Sequence, residues 1–329
     1  MRPNRSKTMK RKLILIFSCL IMLMLCSCTR AANPLLRAEA TPIPGSGQQL
    51  HSATAMADGS TQHSVTLYFR FLDYPLLAGE NRTLTVRPDE SIELALVKAL
   101  LDGPSAGQIE LRRLIGDDVT IEDVSVSGDM LFLTLNSRFL RDGVPDNWQA
   151  QPDWAQEAPL FRQLTLQSIV ATITENLPYS SVQVLVSSPG ESSARLDRSY
   201  YLRGDMGPAD PLLRDGALLM TPSRVAELAL EAWKNRDFAS LHAVTASFAY
   251  ERPVQQDFAL ALDASPALME YSISDASVSQ DGQHATVTVN LTFLQDEISV
   301  SLAAYPLHLV RDNGLWKISY ETLQRLMLR

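Results

Sequence analysis

The histidines, serines and lysines are the residues best able to carry hydrolytic or metal chemistry in this chain. The five histidines are His51, His63, His242, His284 and His308. No two of them have the H-E-x-x-H spacing that places two zinc ligands on one helix face. A G-x-S-x-G sequence occurs at residues 103–107, but it follows a predicted helix and not a strand, so it is not the strand-to-helix turn that would present a serine nucleophile. A Ser-x-x-Lys pair is absent after residue 28, because Lys98, Lys234 and Lys317 have no serine three positions earlier.

The carboxylates are numerous but do not form a known metal-binding or phosphate-binding motif. Asp117-Asp118 and Glu122-Asp123 crowd one turn, which favours a solvated acidic turn over a weak calcium site. Asp312-Asn313-Gly314 lacks the rest of a calcium loop and predicts a turn. The chain contains no G-x-G-x-x-G or Walker motif. We therefore expect no catalytic residues, no metal and no cofactor, and we do not expect an enzyme.

The cysteines allow a different reaction, the acylation of a thiol. All three lie near the start of the chain, at Cys19, Cys26 and Cys28. Residues 1–12 are basic, and residues 13–26 form an apolar run that fits an export signal better than a membrane span of about 20 residues. Leu25-Cys26-Ser27-Cys28 resembles the bacterial lipobox, which implies cleavage before Cys28 and lipidation of its thiol. A plain secretory signal is the alternative.

The region that follows is predicted to hold the protein at the membrane. Residues 1–27 would be the lipoprotein signal peptide, and residues 28–63 a lipidated cysteine with a flexible tether rich in Pro, Gly and Ser. We expect the protein on the extracytoplasmic face of the cell membrane. Since no cysteine follows Cys28, the rest of the chain has no internal disulfide and no thiolate site.

The charge is distributed unevenly along the 329 residues. Residues 1–27 carry six basic side chains and no acidic one, which leaves 23 basic against 37 acidic residues in the rest, a net charge of −14. Such an acidic body is a poor ligand for nucleic acid, because phosphate neutralisation needs clustered Lys and Arg. The length predicts two domains, at about 100–200 residues each.

Hydrophobic periodicity predicts a first module over residues 64–204, with the order β-β-α-β-β-α-β and helices on one face of a mixed sheet. A proline-rich loop of about twenty residues is expected before the second helix. Ser199–Leu202 is a candidate for a further strand. The predicted strands are 65–71, 84–86, 119–127, 130–136 and 182–186, and the helices are 92–100 and 166–177.

A linker at 205–220 and a second module at 221–329 follow. Thr221-Pro222 predicts a helix start, because threonine caps helices and proline suits the first helical position. Further helical residues occur near Phe238 and Leu241. Helices followed by an antiparallel meander indicate an α+β fold. The predicted strands are 271–278, 285–293, 298–310 and 315–320.

Four segments of the first module resemble the GerMN domain of bacterial sporulation and germination lipoproteins. They are VTLYFRFLD (65–73), ESIELALVKALLDGPSAG (90–107), VTIEDVSVSGDMLFLTLNSRFL (119–140) and TLQSIVATITENLPYSSVQVLV (165–186). The resemblance implies a scaffold or assembly factor in spore formation or germination. The order of elements is also similar to the ring-building motif of trans-envelope assemblies.

The second module resembles an NTF2-like domain through AELALEAWKNRDFASLHAVT (226–245) and PLHLVRDNGLWKISYE (306–321). The resemblance implies helices on a curved antiparallel sheet, which can enclose a cavity. Five aromatic residues would fill this core or line the cavity: Trp233, Phe238, Tyr271, Phe293 and Trp316. The alternative function is therefore a ligand-binding accessory lipoprotein that senses a small molecule or a cell-wall fragment. A hydrolase or isomerase built on the cavity would need a convergent acid–base pair.

Trp148 and Trp154 are the candidate partner-binding residues of the first module. Aromatic side chains on a proline-rich loop are good anchors for a partner protein. The other possibility is that they fold back over the second helix. We expect the partners to be the membrane through the lipid anchor, other envelope or sporulation proteins, and a homo- or hetero-oligomer, but not nucleic acid.

Overall fold

The computed structural model describes residues 54–56, 58–142, 152–187, 190, 192–247, 252–295 and 297–328. By its internal contacts the chain divides into residues 1–43 and 44–329, and the described residues all belong to the second unit. They form thirteen strands in three sheets together with seven α-helices. The predicted α+β class is confirmed.

The first predicted module contains two sheets and three helices. One sheet has the order β1-β2-β3 with β4 also pairing with β2, and the other has the order β5-β6-β7-β8. The strands are β1 (Thr54–Ala55), β2 (Thr61–Phe71), β3 (Leu77–Val86), β4 (Leu111–Arg112), β5 (Ile121–Ser127), β6 (Met130–Asn136), β7 (Ser181–Ser187) and β8 (Ala194–Arg195). The helices are α1 (Ile92–Leu101), α2 (Arg138–Asp142) and α3 (Trp154–Asn176). Within the predicted linker, β9 (Leu212–Leu213) pairs with β7.

Helix α3 explains why there are two sheets where we predicted one. Three of its polar side chains lie one turn apart and bond to an edge of β2. The Thr66 N–H donates to Asn176 Oδ1 at 2.9 Å, and the Tyr68 N–H donates to Thr172 Oγ1 at 3.0 Å. Ser168 Oγ donates to the Tyr68 carbonyl at 2.5 Å. The helix thus satisfies backbone groups that another strand would otherwise bond.

Helix α3 also begins earlier than the predicted loop allowed. It starts at Trp154 and contains Pro159, so the loop ends by Asp153. A proline inside a helix removes the hydrogen bond to the carbonyl four residues earlier, here that of Ala155. Arg203 Nη2 donates to this carbonyl at 3.4 Å and to that of Gln156 at 2.6 Å.

The candidate strand at Ser199–Leu202 is wrong. Arg198–Tyr200 instead forms a 3₁₀ turn, which Asp197 caps by accepting from the Ser199 N–H at 2.9 Å. The Tyr200 side chain is buried, and its hydroxyl donates to the Phe139 carbonyl at 2.9 Å. This long-range contact selects the turn over an extended strand.

The Gly-Pro-Ser sequence after α1 is held against strand β3 by hydrogen bonds to two charged side chains of that strand. Gly103 has φ of +86°, which favours glycine at the end of a helix. Arg82 Nη2 donates to the Gly103 carbonyl at 2.9 Å, and the buried Glu80 accepts from Ser105 Oγ at 2.5 Å. Glu80 and Arg82 also pair with each other at 2.9 Å. A motif on which the family resemblance rests therefore has a structural role.

The second predicted module is a four-stranded antiparallel sheet with four helices. The sheet has the order β10-β11-β12-β13, with β10 (Ala267–Val278), β11 (His284–Gln295), β12 (Ile298–Asp312) and β13 (Leu315–Ile318). The helices are α4 (Pro222–Lys234), α5 (Phe238–Ala243), α6 (Gln255–Asp263) and α7 (Tyr320–Met327). Thr221 caps α4 by accepting from the Arg224 N–H at 3.3 Å, as predicted. We did not predict α6 or α7.

Residues of both predicted modules and of the predicted linker contact one another at a seam formed by Leu77, Glu110, Met220, Asp312 and Lys317. The Met220 N–H donates to the Leu77 carbonyl at 2.8 Å. Lys317 Nζ lies 2.6 Å from Glu110 Oε1. The largest buried apolar cluster includes residues of both modules, from Val65 to Leu326. The sheets are therefore packed together within one compact unit.

Candidate interaction surfaces

Only one of the three predicted site residues lies among the described residues. Trp154 is the first residue of α3 and is half-buried. Its ring centroid lies 5.6 Å from that of Phe161, and it packs against a cluster that contains Leu77 and Leu219. Cys28 and Trp148 fall outside the described residues. Trp154 thus combines internal packing with a partly exposed surface.

The five aromatic residues of the predicted cavity divide between the core and the surface. Trp233 and Phe293 are buried, with ring centroids 5.6 Å apart. Trp316 is also buried, and the Arg311 guanidinium lies 4.2 Å from its ring centre. Phe238 and Tyr271 are half-buried. Core packing therefore accounts for the pair formed by Trp233 and Phe293.

Hydrogen bonding and burial keep the Tyr271 phenol in its neutral form. Its hydroxyl donates to Glu231 Oε2 at 2.8 Å. Burial, with help from this hydrogen bond, raises the pKa of Tyr271 to about 12. At neutral pH the side chain is consequently a hydrogen-bond donor and not a base.

A surface cleft of about 460 Å³ lies between β12 and α7. His308 Nδ1 is 3.3 Å from Thr286 Oγ1, and Arg325 pairs with Glu321 on the same helix. The residues that line the cleft include no carboxylate to act with His308 as an acid–base pair. The lining residues are Tyr305, Pro306, His308, Thr322, Arg325 and Leu328.

The seam contains a buried cation with two carboxylate partners. The Lys317 side chain is 3% exposed, and its Nζ lies 2.6 Å from Glu110 and 3.9 Å from Asp312. Asp312 Oδ2 also accepts from the Ser247 N–H and hydroxyl, at 2.5 Å each. Removing one member of such a group leaves a buried charge without compensation. The arrangement therefore holds residues of the two predicted modules in place.

A second polar cluster lies near the seam, around Tyr68. Arg214 Nη2 donates to the Tyr68 hydroxyl at 2.8 Å, and Arg214 also pairs with Glu175. Burial raises the pKa of Tyr68, and the nearby Glu175 adds to this shift. Burial lowers the pKa of Arg311, an effect that Tyr68 and Glu175 oppose. The phenol stays neutral and serves as a hydrogen-bonding group.

The hydrogen bonds and ion pairs described above give these groups structural roles. Within the described ranges, no three or more His, Cys, Asp or Glu side chains are grouped so that they could hold a metal ion. The helices in the same part of the chain are too short or too polar to cross a bilayer. What the described residues offer a partner is surface, including strand edges and the half-buried Trp154.

Sequence reasoning missed the seam, although one signal of it was present. Lys317 lies between Trp316 and Ile318, and all residues of β13 are buried. A lysine in a short apolar strand indicates a buried, paired charge. Its partner Glu110 lies 207 residues earlier, however, so the pair itself could not be identified from spacing.

Comparison with known proteins finds a similarity to one family within the first module. Residues 66–188 match the Germane family model, which is described as sporulation and spore germination. This match confirms the predicted resemblance to sporulation and germination proteins over those residues. The NTF2-like resemblance of the second module stays a prediction. The search of curated protein sequences gave no match.

Three solved structures are similar to parts of the chain. The tandem GerMN domains of the sporulation protein GerM from Bacillus subtilis are 20% identical, with a TM-score of 0.33, over 47% of this chain and 46% of that chain. The chain thus spans less than half of that structure. A putative lipoprotein from Clostridium perfringens is 19% identical, with a TM-score of 0.26, over 49% of this chain and 93% of that one. A protein of unknown function from Mycobacterium tuberculosis is 14% identical, with a TM-score of 0.22, over 29% and 64%.

Proposed function

We propose that this protein is a non-catalytic, membrane-anchored lipoprotein that acts as a scaffold or assembly factor in sporulation or spore germination. The observation that carries the proposal is the match of residues 66–188 to a family described by that process. The lipobox-like sequence that ends at Cys28 supports the membrane anchor. The acidic body supports a role in binding, and Ser105 of its G-x-S-x-G sequence is bonded to the buried Glu80.

In this proposal the first module contacts the partner. Strand β5 pairs only with β6 among the described strands, and its other edge is open. An open strand edge can accept a strand from another protein. The half-buried Trp154 adds an aromatic side chain, and Trp148 lies in the segment that precedes it. These features give the module two kinds of contact, backbone pairing and aromatic anchoring.

The second module supports the first in the same proposal. Lys317 on β13 pairs with Glu110, which precedes β4, across the seam. Because this pair lies between the two predicted modules, removing either module would expose the other's side of the seam. The proposal is therefore tested on the whole chain.

The direct test is deletion of the gene in its host. We expect fewer heat-resistant spores, or spores that germinate more slowly, and recovery on expression of the wild-type chain. The Cys28→Ala variant should restore the phenotype less well, because it lacks the anchor. If the deletion strain forms and germinates spores at the wild-type rate, or if the host forms no spores, the proposal is wrong.

The anchor has its own test, independent of the phenotype. We expect Cys28→Ala to block incorporation of radiolabelled palmitate and cleavage of the signal peptide. Cys26→Ala is the matched control, because it removes the other nearby thiol while Ser27 and Cys28 stay in place, and it should be labelled normally. Label in the Cys28→Ala variant would show that another residue is the acceptor.

The partner contact is tested by cross-linking in membranes. We expect Trp148→Ala to reduce the cross-linked product. Trp154→Ala removes both a half-buried ring and its contact with Phe161, so Trp154→Phe is its control for packing. Normal cross-linking by Trp148→Ala and Trp154→Ala, with both proteins folded, would exclude these tryptophans from the contact.

A further inference from the structure

Strand β12 has two strand neighbours along only part of its length. Leu309 to Asp312 pair with β13, whereas residues 298–302 pair with β11. On the other side of residues 298–304, the described part of the chain contains no strand. We call this segment the open edge. Six of its seven residues are exposed, and Leu302 is half-buried.

The open edge lacks the features that usually protect a strand edge. Its sequence is ISVSLAA, and no Lys, Arg, Asp or Glu occurs between residues 298 and 310. Proteins commonly place charges, prolines or bulges on exposed edges to prevent pairing with other chains. Here a bulge with Ala304 at φ of +51°, and then Pro306, occur only where the segment ends.

Two other edge strands among the described residues carry charges. Strand β10, at the opposite side of the same sheet, carries Glu270 and Asp275 and has two register shifts. Strand β5, whose edge is proposed above to contact a different partner, carries Glu122 and Asp123 and has one register shift, which disfavours pairing with a second acidic copy. The open edge therefore differs from these two edges in carrying no charge.

The open edge also exposes apolar side chains. Ile298 is 66% exposed and Val300 is 40% exposed, and alternate residues of a strand lie on the same face. Leu294, on the neighbouring strand, is 41% exposed but pairs with Ser299 and so lies on the other face. Solvent thus meets both unpaired backbone groups and an apolar surface here, a combination typical of an interaction site.

We propose that the open edge pairs antiparallel with the open edge of a second copy of this chain about a two-fold axis. Two four-stranded sheets would join into one continuous sheet. The argument for a second copy is charge. The body is acidic, so two copies repel each other over most approaches. Self-pairing of residues 298–304 with Ser301 opposite Ser301 places uncharged residues opposite uncharged residues.

The predicted tether is a poorer occupant. Pro34, Pro42 and Pro44 have no N–H to donate, which disfavours a paired strand there. A second copy is also readily available if the chain is anchored, since confinement to a membrane raises the local concentration. Weak pairing by seven residues would then suffice.

Cysteine cross-linking of the full-length protein in membranes tests the proposal. Residues 299 to 303 are changed to cysteine one at a time, for example Ser301→Cys. Directly opposed residues in an antiparallel pair have Cα atoms about 4.5–5.5 Å apart, which is within reach of a disulfide. We expect at least one position to give several-fold more disulfide-linked homodimer than the control Ser277→Cys, an exposed serine on β10. The full-length protein without an added cysteine is the second control, because it shows how much dimer forms through Cys19, Cys26 or Cys28.

A charge at the open edge provides the second measurement. We expect Ser301→Lys to raise the dissociation constant of the dimer at least about tenfold, because like charges would meet across the interface. Ser277→Lys should leave it unchanged. Sedimentation of the full chain in detergent measures both, and circular dichroism confirms folding. The proposal is overturned if no cysteine position links above the Ser277→Cys level, if the cysteines link only to a different protein, or if Ser301→Lys and Ser277→Lys behave alike.

Discussion

The two halves of strand β12 have opposite surroundings and opposite compositions. Residues 309–312 pair with β13 and lie at the seam, where Arg311, Asp312 and Lys317 supply charges. Residues 298–304 face solvent along one edge and carry no charge. A solvated edge normally carries charge, and a covered edge normally does not.

The reversal teaches that charge on this strand follows pairing within the chain and not exposure. At the seam each charged side chain has a partner, such as Glu110 for Lys317. The edge of strand β2 is covered in a third way. Hydroxyl and amide groups of α3 accept hydrogen bonds from its backbone. Of these three edges, only the open edge of β12 is not covered by a strand or helix from the described residues.

The largest expected effect concerns the half of β12 that pairs with β13 at the seam. Lys317→Met keeps an unbranched side chain but leaves the carboxylates of Glu110 and Asp312 without their cation. We expect the free energy of unfolding to fall by about 3 kcal/mol, as for other broken buried pairs. Urea denaturation followed by tryptophan fluorescence measures it. Lys98→Met, at an exposed ion pair with Glu90, should cost less than about 1 kcal/mol. Equal costs would mean that the seam charge is not effectively buried.

The next effect concerns the edge of β2, where side chains of α3 bond to the backbone. Thr172→Val removes the hydroxyl that accepts from the Tyr68 N–H and leaves that donor without its partner. We expect a loss of about 1–3 kcal/mol in the free energy of unfolding. Thr174→Val is the matched control, because its hydroxyl bonds only to Val170 in the same helix. A loss no greater than in the control would show that solvent can replace the helix at this edge.

A smaller effect concerns the pH dependence of stability and His242, which lies near Lys317 of the seam. Burial lowers the pKa of His242, and the positive charges of Arg252 and Lys317 add to this shift. The unfolded chain therefore takes up the proton first as the pH falls. His242 should decrease stability progressively below about pH 6.5, the ordinary histidine pKa. Thermal unfolding of wild type and His242→Gln between pH 5 and 8 measures this, with a flatter profile expected for the variant. Identical profiles would contradict the assignment.

The smallest expected effect tests the open half. Ser301→Lys should change the free energy of unfolding of the separated monomer by less than about 0.5 kcal/mol, because the side chain is exposed. Urea denaturation at low protein concentration measures it. A loss comparable to that of Lys317→Met would show that the monomer itself covers this edge, and the contrast between the two halves of β12 would disappear.

Local signals predicted much of the secondary structure. Alternation of apolar residues located β6, and the threonine cap with the following proline located the start of α4. The glycine-proline stop marked the end of α1. These features depend on a few neighbouring residues, so the sequence contains all the information that they require.

Predictions failed where a distant residue decided the outcome. The start of α3 depends on Arg203, which bonds the carbonyls near Pro159. The turn at Arg198–Tyr200 depends on Phe139. The separation into two sheets depends on Asn176 and its neighbours, which bond to β2. None of these partners can be recognised from hydrophobic periodicity.

The candidate interaction residues show the same limit. Trp154 was recognised by its type, but its packing against Phe161 appears only in three dimensions. The open edge was predicted as part of a strand, yet periodicity does not reveal which side of a strand lacks a neighbour. Likewise, Lys317 and Glu110, which pair at the seam, lie 207 residues apart in the sequence.

The sequence by itself determined the acidic charge, the absence of cysteine after Cys28, the family resemblance of the first module and the uncharged composition of residues 298–304. These properties follow from residue type and local order alone. Only the tertiary structure decided which edges are covered, because strand pairing and buried charge pairs join residues far apart in the chain. An uncharged strand becomes a candidate interaction site only when the fold leaves its edge open.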